Sequence, residues 1–117
     1  MRKKEDKNFL LYVPKRRIKR ITWEKRDDGN ITLLIKRNSP MEKALAFMFN
    51  SPKVVSLDLD DLGSRVWSLC DGERNIVEIG KTIKNEFGEQ AEPVYERLVE
   101  FIRILQKNSL IDLTEPH

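Results

Sequence analysis

The hydrophobic pattern of this 117-residue chain changes period near Leu57, and that change limits the fold more than any other feature. Before it, apolar residues come in the short, β-branched runs Ile18–Trp23, Ile31–Ile35 and Lys53–Leu57, which have the length and texture of strands. After it they recur every three or four residues, as along one helix face. The first such stripe is Leu59, Leu62, Val66 and Leu69, the second Ile76, Ile79, Ile83 and Phe87, the third Val94, Leu98, Phe101 and Leu105. Three strands followed by three helices predict an α+β fold: an N-terminal three-stranded antiparallel sheet, then a three-helix unit. The short break between the first two helices gives the whole a winged helix-turn-helix character.

The punctuation agrees with this order. Asp27-Asp28-Gly29-Asn30 reads as a hairpin turn, with Gly29 or Asn30 free to take positive φ. Asp58 or Asp60 caps the first helix, and Asp71-Gly72 stops it. Asn75 caps the second with Glu78 as a capping-box partner, and Gly88 ends it. The third starts at Glu92-Pro93 and runs to Lys107, with Asn108 as its C′ residue and Leu110–Leu113 returning as an extended tail. Between strands two and three, Pro40 and Pro52 bracket a short helical pattern, Met41–Phe49. The expected organisation is a basic, disordered tail over 1–14, one domain over 15–113 with an insertion at 38–52, and a C-terminal tail over 114–117.

Composition narrows the function classes. The longest apolar run, Ala44–Phe49, falls far short of the roughly 20 residues a membrane span needs, and no apolar export core follows the basic start. A lone cysteine, Cys70, suits a reducing compartment, so a cytoplasmic protein is expected. Catalysis has nothing to build on. The single histidine is His117, Cys70 reads as a small buried hydrophobe, and no phosphate loop or nucleophile elbow occurs. The acids Asp58, Asp60 and Asp61 read as helix-start residues rather than a cation site, and Trp67 as core. No enzyme, cofactor or metal is expected.

Charge separates two binding readings. Residues 1–26 hold eleven Lys/Arg against three acids, whereas the remainder holds eleven against sixteen. A basic head around Arg16-Arg17 and Lys19-Arg20 fits a nucleic-acid arm, a dock for an acidic partner or a solvated tail. The helices argue against a DNA reader, because Glu78 and Glu86 on the second, and Glu92, Glu96 and Glu100 on the third, interleave with the basic residues. Peptide binding fits better. The third helix is apolar beyond one stripe, with Tyr95, Val99 and Ile102 on one flank and Ile104 on the other. Either the Met41–Phe49 segment covers a flank or a groove is open there. An edge strand at Lys53–Leu57 offers free backbone groups to an extended peptide, or to a second copy of the chain in a homodimer.

The run Val55-Ser-Leu-Asp-Leu-Asp-Asp-Leu-Gly63-Ser-Arg-Val-Trp67-Ser-Leu-Cys-Asp71-Gly72-Glu-Arg-Asn-Ile-Val-Glu78-Ile79 resembles the PqqD family, as do Phe87-Gly88, the Phe101 to Leu105 stretch and Leu110-Ile111. The resemblance extends from about Val54 to Leu113; the 38–52 segment and the basic head depart from the family pattern. It implies a recognition element for ribosomally made, modified peptides. The leader of a precursor peptide would add as a strand to Lys53, Val54, Val55, Ser56 and Leu57. It would lie against a helix face including Arg97, Phe101 and Ile104, with Arg97 meeting an acidic leader residue. A modifying enzyme, often of the radical-SAM class, would receive the peptide. The alternative is a winged-helix nucleic-acid-binding or regulatory protein that uses the basic N-terminus.

Overall fold

The structure, a computed structural model, describes residues 9–19, 21–36 and 54–116, with Val54 and Val55 described in backbone only. The chain forms two compact units. One is the sheet unit, Ile18–Asp61; the other, the helical unit, joins the residues up to Arg17 with those from Leu62 onward. The elements of an α+β fold are present, but the strands divide between two antiparallel sheets.

In the sheet unit, β2 (Ile21–Lys25), β3 (Ile31–Lys36) and β4 (Val54–Asp58) pair in the order β2-β3-β4. The first strand lies further along the chain than the apolar run Ile18–Trp23 suggests. Its hairpin closes through Gly29 N–H to Arg26 O at 2.9 Å and Arg26 N–H to Asn30 O at 2.7 Å. Gly29, at φ 87°, takes the left-handed position such a turn requires. The Asp28 carboxylate accepts the Asn30 N–H at 2.8 Å, a bond that holds its pKa below the ordinary value. Register places Trp23, Leu33 and Leu57 in one cross-strand row. Leu33 is fully buried, and Ile21 and Leu59 are nearly so.

Asp58 is the last residue of β4 rather than a helix cap. Its carboxylate is engaged by its cross-strand neighbour, with Thr32 Oγ1 donating to Oδ1 at 2.8 Å. The Met41–Phe49 helix pattern lies outside the described residues.

In the helical unit, α1 (Asp61–Leu69) buries Val66, Trp67 and Leu69. Arg16 donates to the Trp67 and Ser68 carbonyls at 2.9 and 2.8 Å, satisfying acceptors that the helix end exposes. Gly72, at φ 84°, turns the chain. Asn75 caps α2 (Ile76–Phe87) with the expected capping box: its side chain accepts the Glu78 N–H and the Glu78 side chain accepts the Asn75 N–H, both at 2.9 Å. Two further α2 donors, the N–H groups of Ile76 and Val77, reach the carbonyls of Tyr12 and Leu10. The stretch read as a disordered tail therefore contains ordered chain from residue 9 onward. It continues as β1 (Val13–Arg16), which pairs antiparallel with β5 (Ile111–Thr114), an ion pair from Arg17 to Asp112 at 2.7 Å adding to the join.

Helix α3 (Val94–Lys107) buries Val94, Leu98, Ile102 and Leu105. Ile102, not Phe101, completes the stripe; Phe101 is half-buried. The helix closes in a Schellman motif, with Leu110 N–H on Leu105 O and Ser109 N–H on Gln106 O. Ser109, at φ 60°, takes the left-handed position expected of Asn108. At the α2–α3 contact, a Cβ on Gly80 would stand 2.3 Å from Tyr95 Cε1, while the Tyr95 hydroxyl donates to Val77 O at 3.0 Å. Cys70 is fully buried just beyond α1, and desolvation pushes its thiol from 9.0 up to about 12.

Three outcomes are expected. Gly80→Ala lowers stability by roughly 1–3 kcal/mol despite better helix propensity, because the hydrogen-bonded Tyr95 ring cannot yield; the penalty disappears in a Tyr95→Ala background, measured by denaturant unfolding. Ser109→Gly raises stability by up to about 1 kcal/mol, since the left-handed penalty exceeds glycine's entropy cost. The protonated Cys70 thiol favours the folded state below its unfolded pKa, and the advantage is lost as pH rises from 9.0 toward about 12. The stability difference between the wild type and Cys70→Ala should shrink over that window, and thiol reagents at neutral pH should label only the unfolded chain.

Candidate functional site

The sheet unit has an open edge at β4, which pairs with β3 on one side and with no other described strand. An antiparallel ladder spends the backbone groups of alternate residues on the neighbour. The Leu59 N–H donates to Ile31 O at 2.8 Å, which fixes the phase of that alternation. With Leu33 opposite Leu57 and Ile35 opposite Val55, those two β4 residues turn their backbone groups toward β3. Val54, Ser56 and Asp58 then turn theirs outward. The groups that a further strand would meet are thus assigned residue by residue, from one hydrogen bond and the register.

Side chains along the edge differ in character. Ser56 is exposed, and Leu57 is 39% exposed beside the fully buried Leu33. Lys53 lies outside the described residues. At the far end of the strand a polar cluster closes the edge. Arg26, from the end of β2, donates through Nη1 to Ile31 O at 2.9 Å and to Thr32 Oγ1 at 3.0 Å. Its Nη2 donates to Leu59 O at 2.7 Å. Thr32, 8% exposed, donates its own hydroxyl hydrogen bond to Asp58 Oδ1. Sequence reasoning saw Arg26 only as one more charge of the basic head; its place directly before the hairpin turn was the available signal.

The expected helix contacts belong to the helical unit. Arg97, Phe101 and Ile104 follow one another at helical spacing along α3. Arg97 is exposed, with Nη1 on Gln90 O at 3.0 Å, and Ile104 is 47% exposed. The opposite flank is different. Tyr95 and Val99 are half-buried and Ile102 is fully buried, so that side of the apolar arc belongs to the core of the unit. Of the basic head, Arg16 and Arg17 are committed to α1 carbonyls and to Asp112.

Among the described residues, no group of three or more His, Cys, Asp or Glu side chains could hold a metal ion. The protonated, buried Cys70 is no nucleophile at neutral pH. Among the described residues, no helix is long and apolar enough to cross a membrane.

No curated protein and no solved structure matches the chain. The family model of Coenzyme PQQ synthesis protein D (PqqD) does match, over residues 46–111, a stretch that contains β4 and the helices α1, α2 and α3. It covers more than half of the 117 residues, and the chain therefore belongs to the PqqD family, the family of recognition elements for ribosomally made, modified peptides.

Proposed function

We propose that this protein is a non-catalytic, peptide-binding chaperone that captures the leader of a ribosomally made precursor by strand addition at β4. The observation that carries the reading is the open edge itself, with the backbone groups of Val54, Ser56 and Asp58 directed away from β3 inside the stretch that matches the family. Extended peptides bind such edges through main-chain hydrogen bonds, while side chains on alternate residues supply selectivity. The reading includes Lys53, Val55 and Leu57 along the strand. On α3 it includes Arg97, Phe101 and Ile104, with Arg97 opposite an acidic leader residue. The bound leader is then presented to a modifying enzyme of the radical-SAM class in the cytoplasm, by a domain of winged-helix type. The same edge is open to a second copy of the chain, so a homodimer would compete with the leader.

The runner-up is nucleic-acid binding through the basic N-terminal region. The engagement of Arg16 and Arg17 within the helical unit favours the peptide, because both guanidinium groups already serve the fold.

Two proline substitutions test the edge. Ser56→Pro removes an outward donor and leaves the β3–β4 ladder intact, so the protein stays folded and leader binding, measured by calorimetry, is lost. Val55→Pro removes a ladder bond and destabilises the sheet. Full leader affinity in a folded Ser56→Pro variant would remove the site assignment. Between about 50 and 200 mM salt, leader affinity should change little, whereas a nucleic-acid complex would weaken by orders of magnitude.

A further inference from the structure

We propose that Arg26 is a positioning residue of the peptide-binding edge, holding the C-terminal end of β4 in the line that an added strand requires. The inference rests on the β4 reading and adds to it a residue outside the family-matched stretch. Arg26 sits where β2 meets the hairpin turn, and its guanidinium fork reaches β3 and, across it, the residue that follows β4. It donates to Ile31 O and Thr32 Oγ1 at the start of β3, and to Leu59 O immediately after β4. The carboxylate of Asp58 lies 3.7 Å from Nη1 and accepts the Thr32 hydroxyl at 2.8 Å. One side chain thereby ties Asp58 and Leu59 to the hairpin, and Asp58 carries the last outward-facing backbone groups of the edge.

The chemistry requires arginine. The guanidinium offers several donors in a fixed plane, so acceptors on β3, in the hairpin turn and just after β4 can be served together. A lysine brings the charge but not the fork. The cluster is also partly shielded, with the Arg26 side chain 27% exposed and Thr32 8% exposed, which strengthens its hydrogen bonds relative to a fully solvated pair. An edge prepared in this way accepts a strand without first having to be ordered. Each backbone residue left to be ordered on binding weakens the complex by about an order of magnitude.

The test uses the full chain and a probe peptide. The probe is the tightest binder recovered by panning a random peptide library on the wild-type protein, retained only if Ser56→Pro abolishes its binding. Affinity is then measured at a temperature where each variant is fully folded by circular dichroism. Arg26→Ala should weaken the probe by about tenfold or more, and Arg26→Lys should restore little of it. Thr32→Val, which removes only the relay hydroxyl, should fall between the wild type and Arg26→Ala. Amide exchange should accelerate at Leu57 and Leu59, whose N–H groups face β3, and stay unchanged in α2 and α3. Added methylguanidinium, at concentrations too low to denature, should restore the Arg26→Ala affinity, and ammonium should not. A purely structural Arg26 would lower the melting temperature while the folded variants bound as the wild type does, and that result overturns the inference alone. Should Arg26→Ala fail to fold, Arg26→Lys and Thr32→Val carry the same comparison. Failure to recover any peptide sensitive to Ser56→Pro overturns the β4 reading and the inference together.

Discussion

In an antiparallel pair, each residue spends its backbone either on the neighbouring strand or on whatever lies beyond, and the choice alternates without exception along a regular ladder. A single hydrogen bond therefore fixes which backbone groups of an entire edge face outward. Here it is the Leu59 N–H on Ile31 O. A slip of one residue would turn Val55 and Leu57 outward, and it would also exchange the two faces of β4, moving Leu57 away from the row it shares with Leu33 and Trp23. Burial of Leu33 and exposure of the Ser56 backbone are consequently one constraint seen from two sides. The polar cluster of Arg26, Thr32 and Asp58 guards that register at the end of the strand where the chain leaves the sheet for α1.

What could be read from the sequence was what is decided locally. A capping box needs only Asn75 and Glu78, three residues apart, and the structure contains it. The stop at Gly72 and the end of α2 at Gly88 follow from backbone freedom at single positions, both with positive φ. The family, too, lay in a contiguous run of residues, and the match to 46–111 bears it out. The three-stranded sheet followed from β-branched runs and a turn signal, although β2 begins at Ile21, later than its apolar run suggested.

What could not be read was decided at a distance. Val13–Arg16 contains a proline and two cations, with none of the alternation that marks a strand, and its partner lies about a hundred residues away. The sequence of β1 carries no trace of β5. The inner stripe of α3 was misphased by one residue because Phe101 and Ile102 are both apolar, and only the packing of the unit decides between them. Likewise Tyr95 belongs to the core because Gly80 leaves room for its ring, a complementarity between two helices that no periodicity records. Of the candidate site, the strand was legible and the phase of its backbone groups was not. Val55 faces the ladder, and Ser56 faces outward.

The pairing of β1 with β5 has a mechanical side. The helical unit is discontinuous in sequence, and the whole sheet unit is inserted between Arg17 and Leu62. Val13 and Thr114 are opposite one another, at the point where the chain enters β1 and leaves β5. Tension applied at those two residues would load the ladder as a zipper, one rung at a time, beginning at that pair; a pull from further toward the N-terminus first meets the bonds that tie Leu10 and Tyr12 to α2. The inserted sheet lies on the far side of the zipper along the contour of the chain, so pulling on the ends reaches it only after the four rungs from Val13 to Arg16 have opened.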